Sequence, residues 1–250
     1  MNSSTVLALL ERFGAIITND HIVYTSGRHG DMYINKDAIY PHTEIVFSLC
    51  RELANRFLEE PADVVVAPAQ GGIILSQWVA RHLSVMLKRD VLAVYAEKSA
   101  DGTTFVLRRG YDNLVADKRV LVVEDILTTG GSVRKVVELV RKHGGDVFGV
   151  GALVNRGGVT TRDVGNVLDL VSLLKLDLDT WSEEQCPLCQ KGTPINTNVG
   201  KGLEFMERKY ARSRWTCDGC ETEMTPSTSE KRPNKLLCSR CIGEAGDSFG

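Results

Sequence analysis

The sequence predicts an α/β domain, a parallel sheet flanked by helices, with an N-terminal cap ahead of it and a small C-terminal metal module behind it. Three observations carry this expectation. Between about residues 60 and 175, short runs rich in Val and Leu alternate with amphipathic segments of helical period. Those apolar runs lack polar–apolar alternation, the pattern of strands covered on both faces. Six of the seven cysteines fall between Cys186 and Cys241, which marks a second region of different character.

In chain order, Ala15–Tyr40 reads as short strands around the turn Ser26-Gly27-Arg28-His29-Gly30. Helices are expected at Glu44–Leu58, Gly72–Leu87 and Ser132–His143, and strands at Val64–Ala67, Val91–Tyr95, Val120–Glu124, Val147–Val154 and Leu168–Leu174. The last of the three helices is the clearest. Val133, Val136, Val137 and Val140 form one stripe, while Arg134, Lys135, Glu138, Arg141 and Lys142 fall on the other side. Gly144 then suits the left-handed position that ends a helix. Asp177–Gly202, with Pro187 and Pro194, reads as irregular, and Leu203–Arg212 as a short helix leading into the cysteine-rich tail.

The 250 residues are 43% hydrophobic and 25% charged, with a formal net charge of −2, an ordinary globular composition. That balance gives no overall pull toward nucleic acid or an anionic membrane. No apolar run approaches the roughly 20 residues a membrane span needs. The segment MNSSTVLALLERFG lacks a basic stretch and reaches Glu11 and Arg12 early, so a cytoplasmic location is expected.

The most informative segment is VLVVEDILTTGGS, Val120 to Ser132. A buried strand runs into two adjacent carboxylates, Glu124 and Asp125, and then into a loop of small residues that opens a helix. Glycines let successive backbone N–H groups turn inward, and the helix N-terminus adds partial positive charge at the same place. Thr128, Thr129 and Ser132 add hydroxyl donors around Gly130 and Gly131, which suits a phosphate. No lysine follows the glycines, so the segment is not a nucleotide-triphosphate P-loop. The two carboxylates would repel a phosphate placed beside them. They make sense if sugar hydroxyls, or a magnesium ion on those hydroxyls, lie between acid and phosphate.

This string resembles the ribose-phosphate signature of the type I phosphoribosyltransferases. Further ordered segments resemble the prokaryotic-type orotate phosphoribosyltransferases among them: GAIITNDHIVYTSGRHGDMYINKDAIY, VVVAPAQGGIILS, VLRRGYD, ALVNRGG and the trailer CPLCQKGTPIN. The resemblance covers roughly residues 5–200 and implies a phosphoribosyltransferase domain over 1–200. Within it the family would place an N-terminal hood at about 1–42, a core at 43–176 and an extension at 177–200, leaving 201–250 as a helix and tail.

By that resemblance, Glu124 and Asp125 would hold the ribose hydroxyls of phosphoribosyl pyrophosphate, and Thr128 through Ser132 its 5′-phosphate. Ala69, Gln70, Gly71 and Gly72 would form the pyrophosphate loop, with Mg²⁺ bridging pyrophosphate and ribose oxygens. Orotate would lie over Ser26, Gly27, Arg28 and His29, with Arg156 against the base. His29 is equally readable as a polar turn residue, and His21, His42, His82 and His143 read as ordinary surface residues. The resemblance also implies a homodimer and a mobile basic loop at Glu97–Arg109. In that loop only Lys98 matches the family pattern; a second lysine and a histidine are missing, and Arg108 and Arg109 stand as the replacement charge. Arg108 and Arg109 also read as a solvated strand end. Two other readings remain: a phosphoribosyltransferase for another nucleobase, or a phosphoribosyl-pyrophosphate-sensing regulator acting through its tail.

Cys217/Cys220 and Cys238/Cys241 are two C-x-x-C knuckles separated by 17 residues, the spacing of a tetrahedral Zn²⁺ site. The tail has few apolar residues, and structural zinc would order it. Cys186/Cys189 either joins these knuckles or is a metal-free turn; the family trailer, which carries this pair alone, favours the second reading. Residues 201–250 hold nine basic against eight acidic residues, too even a balance for a nucleic-acid surface.

Overall fold

The structure, a computed structural model, describes residues 1–212, 215–216 and 223–224. Cys217, Cys220, Cys238 and Cys241, and with them the expected zinc tail, lie outside the described residues. The chain divides into two compact units, one of residues 1–17 and 34–178 and the other of residues 18–33 and 179–250. The turn at Ser26–Gly30 thus groups with the C-terminal segment.

The first unit is built on a six-stranded sheet. Its strands are β1 (Val64–Pro68), β2 (Leu92–Lys98), β3 (Phe105–Val106), β4 (Arg119–Leu127), β5 (Asp146–Asn155) and β6 (Asp169–Lys175). Their order is β6-β5-β4-β1-β2-β3, parallel throughout except for the short β2–β3 pair. All five residues of β1 are buried, the burial its unbroken Val-rich sequence predicts.

The helices of this unit are α1 (Ser3–Arg12), α2 (Thr43–Asn55), α3 (Gly71–Leu87), α4 (Tyr111–Val115) and α5 (Gly131–Lys142). On α5 the four valines of the stripe are buried, in one cluster with Val64, Val66, Val120 and Val122 of the sheet. Each such side chain, removed from water, contributes roughly 1.5–3 kcal/mol. Residues of opposite parity face the other way: a Cβ on Gly72 of α3 would lie 2.6 Å from the Cβ of Ala67. The strands and helices expected from sequence are present with ends shifted by up to three residues. The helices α1 and α4 were not expected; α1 is opened by Asn2, whose side chain accepts from the backbone N–H of Thr5.

Connectivity positions the site. From β1 the chain passes through α3 to β2 on one side; β4, on the other side of β1, leads through α5 to β5. Where strand order reverses in this way, the crevice at the carboxyl ends of the strands is the natural ligand position. Val64 to Val66 pair with Val120 to Val122, so the loops into α3 and α5 leave the same edge of the sheet.

The second unit holds an antiparallel hairpin of Ile22–Val23 and His29–Gly30, the helices α6 (Pro187–Gln190) and α7 (Gly202–Arg212), and the strand pair Trp215–Thr216 and Glu223–Met224. No helix among the described residues is long and apolar enough to cross a membrane.

Candidate active site

The loops after β1 and β4 open onto a cleft of about 1090 Å³, lined among others by Lys36, Tyr40, Gln70, Gly71, Lys98 and the pair Glu124 and Asp125. Strand β4 runs on through Leu127, so both acids are held on rigid, buried backbone. Asp125 is 4% exposed and its carboxylate is fully engaged. Oδ1 accepts from the backbone N–H of Ile126 at 2.7 Å, and Oδ2 from Lys36 Nζ at 2.8 Å and the Tyr40 hydroxyl at 2.9 Å. The same hydroxyl lies 2.8 Å from the Gly71 carbonyl, which ties the first loop to the acid. Gly71 has to be glycine here: a Cβ would collide with the Asp125 carboxylate and approach Lys36 Nζ at 2.7 Å.

Glu124 Oε1 accepts from the backbone N–H of Asp125 at 3.1 Å. Burial, reinforced by the charge of Asp125, pushes the Glu124 carboxyl well above the usual carboxylate range. Burial alone would lower the Lys36 ammonium, but its hydrogen bond to Asp125 and the charges of Asp125, Glu124 and Asp37 outweigh it, and the net direction is upward. Two adjacent, buried acids with one lysine between them and solvent form a site for hydroxyl groups or a hard cation.

Beside the acids, Thr128 through Ser132 enclose a cradle of about 110 Å³ at the start of α5. Gly130 has φ +75°, a conformation that turns the chain into the helix and that other residues rarely adopt. It offers no side chain to cap the helix; the Gly131 N–H donates to Thr129 Oγ1 at 3.4 Å, and the next N–H groups of the first turn remain for an anion. Arg156 follows β5, and its Nε donates to Thr128 Oγ1 at 3.0 Å. Across the cleft, Ala69, Gln70, Gly71 and Gly72 lead from β1 into α3, with the Ala69–Gln70 peptide cis. The structure therefore brings the acid pair, the small-residue loop and the glycine loop to one sheet edge. Lys36 and Tyr40 join them unannounced. Their only sequence signal is a lysine set among Tyr33, Ile34, Ala38, Ile39 and Tyr40, an apolar neighbourhood in which a cation needs a partner.

The basic loop makes hydrogen bonds within itself and to α5. Between β2 and β3, Asp101 accepts from Ser99 and Thr103, and Lys135 donates to the Thr103 carbonyl at 2.7 Å. Lys98 is exposed. Arg108 Nε lies 3.4 Å from Glu97, and Arg109 pairs with the same carboxylate, so one acid answers both replacement arginines.

In the second unit, Ser26 and Gly27 are exposed, and Arg28 donates to Thr180 Oγ1 at 2.8 Å and to its carbonyl at 2.5 Å. His29 departs from the expectation of a substrate contact. It is 0% exposed, and burial first, then the neighbouring His21, lowers its imidazole from the ordinary value. His21 and His82 are likewise buried rather than surface residues; His82 Nε2 lies 3.0 Å from the Phe47 carbonyl. His21 and His29 sit against Cys186 and Cys189, so that pair is not an isolated turn.

A cleft at the switch point of a parallel sheet, with an acid pair and a phosphate cradle on one strand–loop–helix unit, defines a sugar-phosphate-binding α/β domain. Residues 36–188 match the phosphoribosyl transferase domain model, and the chain belongs to that family. The orotate phosphoribosyltransferase of Caldanaerobacter subterraneus subsp. tengcongensis is 41% identical over 197 residues, covering 78% of this chain and 96% of the relative. That of Thermotoga maritima is 36% identical over 196 residues, covering 78% and 98%. The crystal structure of orotate phosphoribosyltransferase from Aeropyrum pernix aligns with a TM-score of 0.52 at 26% identity, over 68% of this chain and 93% of that one. The Mycobacterium tuberculosis orotate phosphoribosyltransferase in complex with 5-phospho-alpha-D-ribosyl 1-diphosphate aligns at 0.51 and 22% identity, over 70% of this chain and 89% of that one, a likeness of fold.

Proposed function

We propose that this chain is an orotate phosphoribosyltransferase: it transfers the 5-phosphoribosyl group from phosphoribosyl pyrophosphate to orotate, giving orotidine 5′-monophosphate and pyrophosphate in pyrimidine biosynthesis. The observation that carries the reading is the placement of Glu124 and Asp125 between the Thr128–Ser132 cradle and the Gly71 loop, on one edge of the sheet. A 5′-phosphate in the cradle puts the ribose hydroxyls beside the two acids and the pyrophosphate toward Ala69–Gly72.

In the transfer the C1′–oxygen bond to pyrophosphate breaks, its electron pair leaves with the pyrophosphate, and the pyrimidine nitrogen bonds to C1′. Positive charge develops on the ribose ring as in glycoside chemistry, and the task of the protein is to hold a departing polyanion. The Ala69 N–H is held by the Ala96 carbonyl at 2.8 Å, while backbone amides of Gln70–Gly72 and the exposed Lys98 are available to that anion. Arg108 and Arg109 add to it once released from Glu97. Arg156 suits the carboxylate-bearing base because its planar fork matches a carboxylate edge. Mg²⁺ fits this donor set, since the neighbouring protein groups are hard carboxylate oxygens; when bound with pyrophosphate it neutralises leaving-group charge.

Loss of orotate absorbance on adding phosphoribosyl pyrophosphate and magnesium tests the proposal. Turnover of uracil or a purine but not orotate would select a different nucleobase enzyme, and a melting shift without turnover of any base would select a sensor. We expect the enzyme to act in the cytoplasm as a homodimer, which sedimentation at assay concentration checks.

A further inference from the structure

We propose that His21, His29, Cys186 and Cys189 form a structural zinc site that clasps the hood hairpin to the C-terminal segment. The four donor atoms come from two stretches of chain more than 150 residues apart in sequence and lie within 4.8 Å of one another. Hairpin register explains the first two. Val23 pairs with His29, and His21 lies two residues before Val23, so both imidazoles fall on one face of the hairpin as diagonal neighbours. Pro187 at the first position of α6 starts the turn that brings Cys189 back beside Cys186, and the Cys189 N–H approaches Cys186 Sγ at 3.5 Å.

Four of the six donor separations lie close to the edges of a zinc tetrahedron. Zinc bonds of about 2.3 Å to sulfur and about 2.0 Å to nitrogen require edges of about 3.6 Å between sulfur and nitrogen and about 3.3 Å between nitrogens. Cys186 Sγ and Cys189 Sγ each lie 3.6 Å from His21 Nε2, and Cys189 Sγ lies 3.3 Å from His29 Nδ1. The nitrogens are 2.9 Å apart and need to open by only a few tenths of an ångström. Behind the ligands, His21 is backed by the chain, while His29 Nε2 is buried without a hydrogen-bond partner. His21 Nδ1 lies 2.8 Å from the Thr193 carbonyl, which fixes the proton there and turns the Nε2 lone pair toward the cluster.

Charge and burial agree with a closed structural site. Two thiolates balance the ion, both imidazoles stay neutral, and the two thiol protons leave to solvent on binding. His21, His29 and Cys186 are buried and Cys189 half-buried, with the Phe205 ring of α7 edge-on to His29 at 5.0 Å between centroids. Four protein ligands leave no open position for a substrate, so the site is structural and not catalytic. The hairpin has two residues in each strand, too little to hold its fold alone, and a metal staple is what such a small unit needs.

The histidine content makes the test decisive on the full chain. All five histidines lie at or before His143, so nitrogen in a zinc shell cannot come from the cysteine tail. The protein, purified without a metal-affinity tag, reconstituted with zinc chloride under reducing conditions and desalted, is analysed for zinc content and by zinc K-edge X-ray absorption. We expect either one zinc per chain with two sulfur and two imidazole ligands, or two per chain averaging three sulfurs and one nitrogen if the tail holds its own ion. Cys189→Ser is expected to lose one zinc per chain together with the imidazole signal. Zinc-free protein, an all-sulfur shell, or imidazole ligation unchanged in Cys189→Ser would overturn the site. The wild-type spectrum decides even if that variant does not fold.

Discussion

Replacing Tyr40 by phenylalanine removes one oxygen and nothing else, and that oxygen joins two parts of the cleft. The hydroxyl sits 2.8 Å from the Gly71 carbonyl and 2.9 Å from Asp125 Oδ2. A hydrogen bond to a charged group contributes about 1.5–3 kcal/mol. The Asp125 side chain is only 5% exposed, but that of its other partner Lys36 is 38% exposed and lets water reach the acid, which places the loss near the low end, about 1.5 kcal/mol. For a domain of this size, each kcal/mol moves the melting midpoint by about 2–4 °C, so Tyr40→Phe should melt about 3–6 °C lower.

The assay is calorimetry on wild type, Tyr40→Phe, Asp125→Asn and the double variant. If the hydroxyl acts through the acid, the two substitutions should couple by about 1 kcal/mol. The pH dependence adds a second check. Burial, then the charge of Asp125, pushes the Tyr40 phenol above its usual range, so it remains a neutral donor in the folded state across the accessible range. The deficit should therefore be flat from about pH 6 to pH 9. A melting point within about 1 °C of wild type, or strictly additive effects with Asp125→Asn, would refute the bridge between the Gly71 loop and the acid pair.

Glu124 gives the opposite pH signature. Its folded carboxyl is raised by burial first and Asp125 second, so the folded state keeps its proton to higher pH than the unfolded chain does. The stability tied to that proton is fully present below the unfolded value of about 4.3 and is lost as pH rises through the folded one. Glu124→Gln, neutral at every pH and still able to accept from the Asp125 N–H, should gain on wild type in melting temperature between about pH 5 and pH 9; a constant difference would count against it. Glu97→Gln should free Arg108 and Arg109 for the pyrophosphate, lowering the KM for phosphoribosyl pyrophosphate roughly two- to fivefold at low salt, an effect that salt should erase. Because the ion pairs are exposed, stability should stay within about 0.5 kcal/mol, and an unchanged or higher KM would mean that the arginines do not serve the donor.

What the sequence discloses about this molecule follows from how far apart the cooperating residues lie along the chain. The strands are legible because burial on both faces writes itself into each one locally: Val64, Val65 and Val66 need no partner to be read as interior. The acid pair and phosphate cradle are legible because Glu124 through Ser132 form one unbroken strand–loop–helix unit, so the residue types and the backbone that aims them share nine positions. Lys36 and Tyr40 sit 89 and 85 positions from the acid they hold, and nothing around them names Asp125. The helix α1 is faint in the sequence for a milder reason. Val6 and Leu10 are its only buried residues, too few for an apolar stripe, and the one strong signal is the Asn2 cap. The cysteine pair shows the middle case. Cys186-Pro-Leu-Cys189 announces ligands, but both its partners are histidines whose shared face depends on a hairpin register that two-residue strands do not reveal. A C-x-x-C pair unmatched by a second pair is therefore better weighed against every histidine on a nearby strand pair than against cysteines alone. Under the proposed zinc site His29 is a metal ligand and not a substrate contact, which leaves Ser26 and Gly27 as the exposed, uncommitted part of the turn while Arg28 is held by Thr180.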